Sequence, residues 1–171
     1  MKLSRKRKQP AVIRTSKYSD VVVITNSHSG FKIRLKKLSI LVHAILKQLR
    51  LKRTSLSLVF VSDHVIKRLN RRYLNHFRVT DVLAFSFSTS SAEKQPFLGE
   101  VIISPMRAKV YAKQFKIPFE EELMRYVCHG ILHLRGYLDH SVREKWVMRK
   151  AEDKLLKPLA RKLKGIFQSG H

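Results

Sequence analysis

The sequence predicts an α+β fold in which a single domain holds a mixed β-sheet packed with helices. The chain of 171 residues has the length of one domain. Hydrophobic residues make up 44% of it, which is enough for a packed core. Short β-branched or alternating segments are interspersed with longer segments of helical periodicity, in the order β-α-β-α-β-β-α-α-α.

The predicted strands are short segments rich in β-branched or aromatic residues and bounded by turn-forming residues. They cover residues 21–25, 55–62, 82–87 and 97–104. Between the last two lies a polar stretch rich in serine and threonine, which is typical of an exposed loop.

The predicted helices have apolar residues that recur at helical spacing. They cover residues 35–51, a segment after Asp63, a segment that begins at Pro105, residues 118–136, and one or two helices within 142–167. Proline is tolerated in a first turn and glycine often ends a helix, which suits Pro105 and Gly136. In the last segment we expect Trp146 and Val147 to face the core.

Both ends of the chain are basic. No acidic residue precedes Asp20, and the opening segment has no apolar period. We therefore expect a flexible basic arm over residues 1–19, the folded domain over 20–157, and a basic C-terminal tail over 158–171.

The net charge is the strongest signal in the composition. With 36 Lys and Arg against 12 Asp and Glu, the formal charge is +24, so a polyanionic partner is expected. No apolar run of about 18 residues is present, and no helix has an apolar face suited to lie on a membrane. The sequence therefore favours nucleic acid over a membrane, and a single cysteine, Cys128, fits the reducing cytoplasm.

A histidine pair gives the first indication of chemistry. His129 and His133 are four residues apart in a predicted helix, so both imidazoles lie on one face and can bind one Zn²⁺ ion. Because Gly136 ends the helix, the chain can turn so that Asp139 or His140 supplies a third ligand. Three protein ligands leave a fourth position open, as in catalytic zinc sites.

The segment around these histidines resembles a known family. HGILHLRGY, residues 129–137, is similar to the pattern H-G-x-L-H-L-x-G-Y-D-H of YbeY-type ribosomal RNA maturation endoribonucleases. LNRRY at 69–73 with TDVLAF at 80–85, and LGEVIIS at 98–104, resemble further motifs of that family. The match runs in the family's order over about residues 55–152.

This resemblance implies a YbeY-like metallohydrolase fold with the HGxxH pair on a helix. It also implies a zinc-dependent endoribonuclease specific for single strands, which matures the 3′ end of small-subunit ribosomal RNA and serves ribosome quality control. Its partners would be ribosomal RNA and the small ribosomal subunit, and its catalytic, metal-binding residues would be His129, His133 and His140.

The third ligand stays open because the family register is broken here. In the family pattern the third histidine lies six residues after the second, and six residues after His133 is Asp139. If Leu138 is an inserted residue, His140 binds the metal; without an insertion, Asp139 does. We favour His140, because replacing a neutral imidazole by a carboxylate would change the charge of the site.

Other departures from the family pattern leave alternatives open. Leu74 stands where the family usually has an arginine, so we expect Arg72 or Arg78 to supply the missing contact to RNA. One alternative function is therefore a non-catalytic, RNA-binding ribosome assembly factor with a decayed metal site. Another, a zincin-like peptidase, is disfavoured because Gly130 stands where those enzymes have a glutamate base.

Overall fold

A five-stranded mixed sheet lies at the centre of the computed structural model, which describes residues 11–17, 20–75, 80–87 and 97–168. The strands are β1 (Ala11–Lys17), β2 (Asp20–Asn26), β3 (Lys32–Ile33), β4 (Ser55–Phe60), β5 (Val82–Phe85), β6 (Phe97–Ile103) and β7 (Phe167–Gln168). The helices are α1 (Leu35–Gln48), α2 (Asp63–Leu74), α3 (Pro105–Phe115), α4 (Phe119–Leu134), α5 (Val142–Leu156) and α6 (Ala160–Leu163), with a 3₁₀ turn at Lys157–Leu159.

The sheet has the order β1-β2-β4-β6-β5. Its three central strands, β2, β4 and β6, run parallel, and the edge strands β1 and β5 pair with them antiparallel. β3 and β7 form a separate two-stranded sheet. The predicted mixed sheet packed with helices is therefore confirmed.

Two apolar clusters lie on opposite faces of the sheet. The side chains of β4 contribute to both, because successive residues of a strand point to opposite faces. Leu56, Leu58 and Phe60 belong to the main core, to which α1, α4 and α5 also contribute. Val59 packs in a smaller cluster with Ile66 of α2. The two sheet faces are thus covered by different helices.

Helix α4 approaches the sheet closely at Gly130. A Cβ atom on this residue would lie 2.2 Å from Cγ1 of Val101 in β6, a distance at which atoms overlap. Only glycine lets the helix backbone come this near to the strand. The close approach fixes the position of α4, which carries both histidines of the predicted site.

The predicted basic arm is corrected over residues 11–17, which form an edge strand. β1 pairs with β2 from Ala11↔Asn26 to Lys17↔Asp20, Ile13 packs against the core, and Thr15 hydrogen-bonds to Ser39 of α1. The segment has no apolar period of its own, so its order comes from backbone pairing with β2. Residues 1–10 and 18–19 of the predicted arm lie outside the described residues.

The predicted C-terminal tail is corrected in the same way. Leu159, Leu163 and Ile166 are buried in the main core, and Phe167 of β7 pairs with Ile33 of β3. These apolar residues follow the i, i+4, i+7 spacing of one helix face, but the segment is short and basic residues lie between them, so the sequence was interpreted as a tail. Residues 169–171 lie outside the described part.

The core-facing side of α5 also differs from the prediction. Trp146 and Val147 are 62% and 40% exposed, whereas Met148, Glu152, Leu155 and Leu156 are buried. The buried residues follow the i, i+4, i+7, i+8 spacing of one helix face, which leaves Trp146 on the other side.

Among the described residues, no helix is both long and apolar enough to cross a membrane.

Candidate metal centre

The two predicted histidine ligands come together on α4. Their spacing of four residues places them one turn apart, with Nε2 of His129 2.9 Å from Nε2 of His133. Both side chains are partly exposed, at 25% and 28%. The pair therefore faces a surface that a substrate can reach.

Asp139 joins them from the loop that follows α4. Gly136 adopts a positive φ of 85°, and the backbone N–H of Tyr137 donates to the carbonyl of Leu132 at 3.1 Å, so the chain turns back over the helix end. Oδ2 of Asp139 then lies 3.6 Å from Nε2 of His129 and 3.7 Å from Nε2 of His133. Among the described residues, these three form the one group suited to hold a metal ion.

Each imidazole is held by its other ring nitrogen. Nδ1 of His129 lies 2.8 Å from Oε1 of Glu152 in α5, and Nδ1 of His133 lies 2.9 Å from the backbone carbonyl of Tyr137. Because both partners are acceptors, each Nδ1 carries the proton and donates it. This is the usual arrangement for histidines that bind a metal through Nε2.

The donor set fits a zinc ion. With Nδ1 protonated, each Nε2 carries a lone pair, and two lone pairs 2.9 Å apart repel unless a cation or a proton lies between them. Tetrahedral ligands at about 2.0–2.1 Å from zinc are about 3.3–3.4 Å apart. The three ligand–ligand distances, 2.9, 3.6 and 3.7 Å, lie on both sides of this value.

Burial lowers the pKa of His133, and the neighbouring His129 lowers it further. Desolvation disfavours the charged imidazolium, so the neutral form, which binds metal, is maintained to lower pH. The lowered pKa of His133 thus agrees with its position in the metal-binding group.

A cluster of charged side chains surrounds the buried Arg125 next to the metal group. Arg125, one turn before His129 on the same side of α4, contacts Glu152 at 3.4 Å and Asp153 at 2.6 Å, both on α5. It also lies 3.5 Å from Glu121 and 3.6 Å from Glu122 within α4. Glu152 therefore connects the buried guanidinium to His129.

Neither Glu152 nor Arg125 was predicted from the sequence to belong to the site. A signal for Glu152 was present in the helical period of α5, because it shares the spacing of the buried Met148 and Leu155. An acidic residue on a core-facing stripe needs a partner, since a buried charge is costly when unpaired. Which partner it has depends on how α5 packs on α4.

His140, the third ligand that the sequence interpretation favoured, is not in the group. It is exposed, and its backbone N–H donates to Oε2 of Glu144 at 3.0 Å. Ser141 and Glu144 form a capping box that begins α5 directly after it. The structure thus favours the alternative ligand Asp139, which matches the family register without an insertion.

The predicted RNA-binding arginines are not joined to the metal group. Arg72 lies in the last turn of α2, with its guanidinium carbon 5.8 Å from the ring centre of Tyr73. It forms no hydrogen bond or ion pair with the three ligand residues in the described part of the chain. Arg78 lies outside the described residues, so contact with RNA stays a prediction for both.

Gly130 also bears on the peptidase alternative. The glutamate base of a zincin would stand at this position, but the Cβ direction of Gly130 points into Val101 of the sheet and not toward the metal group. A glutamate has no room there. The described part of the site therefore has no glutamate at the position where a zincin carries its general base.

Comparison with known proteins agrees with the sequence motifs and the fold. The family model described as Endoribonuclease YbeY matches residues 23–160. The protein named Endoribonuclease YbeY from Thermodesulfovibrio yellowstonii is 42% identical over 106 residues, which cover 61% of this chain and 66% of that protein. The protein of the same name from Endomicrobium trichonymphae is 34% identical over 122 residues, which cover 71% and 83%.

A solved structure is also similar. The solution structure of TM1509 from Thermotoga maritima superposes with a TM-score of 0.53 at 26% sequence identity, and the match covers 82% of this chain and 92% of that one. The family match spans most of the sheet, both upstream motifs and the whole metal group. This chain therefore belongs to the YbeY endoribonuclease family.

Proposed function

We propose that this family member is an endoribonuclease that cuts single-stranded ribosomal RNA with a zinc ion held by His129, His133 and Asp139. The observation that carries the proposal is the convergence of two Nε2 atoms and one carboxylate oxygen within 3.7 Å of one another. The relatives named Endoribonuclease YbeY supply the class of reaction.

The residues of the site have two roles, to bind the metal ion and to orient the ligands. When bound, the zinc ion supplies Lewis-acid chemistry, which makes hydroxide available at neutral pH and polarises a phosphoryl oxygen. His129, His133 and Asp139 provide three ligands and leave a position for substrate. Glu152 and the carbonyl of Tyr137 keep both imidazoles in the tautomer that presents Nε2.

RNA as the substrate is also supported by the charge of the chain. A formal charge of +24 attracts a phosphate backbone and makes binding depend on salt. We extend the proposal to maturation of the 3′ end of small-subunit ribosomal RNA and to ribosome quality control in the cytoplasm, as the resemblance of the motifs implies. Co-sedimentation with the small ribosomal subunit tests this extension.

The nucleophile is either water or the 2′-hydroxyl of the RNA. Attack by the 2′-hydroxyl leaves a cyclic phosphate on one product end, whereas attack by water leaves none. Analysis of the product ends by mass spectrometry distinguishes the two.

Leu74 favours a second candidate function, that of a non-catalytic RNA-binding assembly factor. It stands at the last position of α2, 49% exposed, where the family motif usually has an arginine. A site without this cation would bind RNA and leave it intact.

The test is to purify the protein without added metal and to measure zinc content and cleavage of single-stranded and duplex RNA. We expect about one zinc ion per chain and cleavage of the single strand only. His129→Ala should remove both zinc and cleavage while the circular dichroism spectrum is unchanged. His64→Ala, which alters an exposed histidine of α2, is the matched control and should change neither.

Other outcomes of these assays would support other functions or contradict the metal site. Stoichiometric zinc in the His129→Ala protein would contradict the metal site. RNA binding without cleavage, in protein that contains zinc, would support the assembly factor. Digestion of casein would support the peptidase.

A further inference from the structure

A cleft of about 490 Å³ lies beside the metal loop. Its walls come from the loop after α4 and from the first turns of α5, and the lining residues include Arg135, Tyr137, Leu138, Arg143, Glu144 and Val147. This volume falls within the range of small-molecule sites. The cleft contains none of the metal ligands.

The cleft adjoins the metal group through the same loop. The carbonyl of Tyr137 accepts from Nδ1 of His133 at 2.9 Å, and Leu138 immediately precedes Asp139. The cleft and the metal group therefore share one loop, so a single RNA strand can contact both.

Two guanidinium groups of the cleft are available to an anion. Arg135 and Arg143 are exposed, and neither forms a salt bridge with any other residue that the structure describes. Arginine pairs with phosphate in a bidentate way. The positive end of α5, a helix of 15 residues, lies at the same wall and adds to this attraction.

The carboxylate of Glu144 cancels only one of these two positive charges. Its Oε2 accepts from the backbone N–H of His140 at 3.0 Å and of Ser141 at 2.7 Å, so it is occupied in the capping box. These hydrogen bonds lower the pKa of Glu144. With two arginines and one ionised glutamate, the charged residues that line the cleft have a net charge of +1.

The remaining surface of the cleft is apolar. Leu138 is 51% exposed and Val147 is 40% exposed, and the ring of Tyr137 lies between the core and the cleft. Exposed apolar side chains next to unpaired cations suit a ligand with both a flat apolar part and a phosphate, which is what a nucleotide provides. A free phosphate would leave the apolar wall uncovered.

We propose that this cleft binds one nucleotide of the RNA strand next to the bond that is cut, an inference that rests on the proposed function. Arg135 and Arg143 hold the phosphate, and Leu138, Val147 and Tyr137 contact the base. Without an insertion, Leu138 stands where the family pattern has an aspartate and Asp139 where it has the third histidine, so this loop departs from the pattern at both positions.

The first experiment removes the cations. A short fluorescein-labelled single-stranded oligoribonucleotide is titrated by anisotropy at several salt concentrations, in chelator, so that no cleavage occurs. Arg135→Ala with Arg143→Ala should weaken binding and reduce the log–log salt slope by about 0.7 for each phosphate that the protein no longer neutralises. Lys145→Ala with Lys154→Ala removes the same charge from exposed positions of α5 outside the cleft and should leave the slope nearly unchanged.

The second experiment removes the apolar side chain that faces the base. Leu138→Ser should weaken binding about tenfold with no change in the salt slope, and this weakening should vanish on an oligonucleotide with abasic sites. Val110→Ser, at a position of α3 that is 49% exposed, is the matched control and should have no effect. Zinc content of the Leu138→Ser protein confirms that the neighbouring metal group is intact.

Either of two results overturns the proposal. The cleft pair and the control pair of charge variants would change the salt slope equally if only bulk charge mattered. The weaker binding of the Leu138→Ser protein would persist on the abasic strand if no base were bound. Both results come from binding measurements and do not depend on cleavage. The cleavage assay tests the proposed function separately.

Discussion

Arg125 and the two histidines lie along one side of α4, at positions 125, 129 and 133, yet their surroundings are opposite. The guanidinium is 8% exposed and has four carboxylates within 3.6 Å. The imidazoles are 25% and 28% exposed, and their Nε2 atoms converge with Asp139 at the surface. Glu152 contacts both regions.

One part of α4 thus has a structural role, around Arg125, and the next part carries the metal ligands His129 and His133. In the buried region Arg125 offsets part of the negative charge of the carboxylates around it, and its contacts with Glu152 and Asp153 attach α5 to α4. In the open region two Nε2 atoms and one carboxylate oxygen lie within 3.7 Å of one another, which is an arrangement that a cation stabilises. Variants that affect one region and spare the other test this separation.

The largest effect is expected at the third ligand. Asp139→Ala should weaken zinc binding by orders of magnitude, because its carboxylate lies 3.6 and 3.7 Å from the two Nε2 atoms. His140→Ala should weaken it by no more than about tenfold, as a residue near the site does. Zinc titration with a competing chelator measures both, and the reverse order would establish His140 as the ligand.

The next largest effect concerns stability. Arg125→Met should lower the free energy of unfolding by about 3–5 kcal/mol, because Glu122 and Glu152 would remain buried without their cation. Arg149→Met is the matched control, since Arg149 contacts Glu152 and Asp153 at 3.6 and 3.8 Å but is 51% exposed. This control should change the free energy of unfolding by less than about 1 kcal/mol in urea denaturation. Equal decreases would show that the buried cluster is not special.

Glu152→Gln should have a smaller effect, on the metal site. It removes the carboxylate that holds Nδ1 of His129, and zinc affinity should fall about 10–100-fold. Asp153→Asn is the control, because Asp153 contacts Arg125 at 2.6 Å but has no contact with His129 in the described part of the chain. An equal fall in zinc affinity for both variants would assign the effect to Arg125 instead of His129.

The smallest effect is a pH dependence. Burial raises the pKa of Glu122, so the folded protein keeps this proton where the unfolded chain has lost it. The resulting stability is fully present below the ordinary pKa of 4.5 and is lost as pH rises through the higher pKa of the folded state. Glu122→Gln cannot ionise and should flatten the fall in unfolding free energy across that window.

Urea denaturation of the wild type and the variant at several pH values above about 4.5 measures this difference. Glu120→Gln, in the same first turn of α4, is the control. If the Glu122→Gln profile were as steep as that of the wild type, the fall would come from another group.

Local patterns in the sequence determined the elements around the site. The strand at 21–25, the helix that begins at residue 35, the one at Pro105 and the histidine-bearing helix that ends before Gly136 are all present as predicted. The pairing of His129 with His133 also followed from the sequence, because neighbours four residues apart on a helix meet wherever the helix packs.

Only the tertiary structure decided the rest, because it depends on contacts between elements that are distant in the chain. β1 is ordered by pairing with β2, residues 159–166 by a core built from other helices, and the inward face of α5 by its contact with α4. Glu152 reaches His129 across 23 residues of sequence for the same reason. Whether Asp139 or His140 faces the histidines is set by the turn at Gly136 and the capping box of α5 together, so spacing along the chain did not settle it.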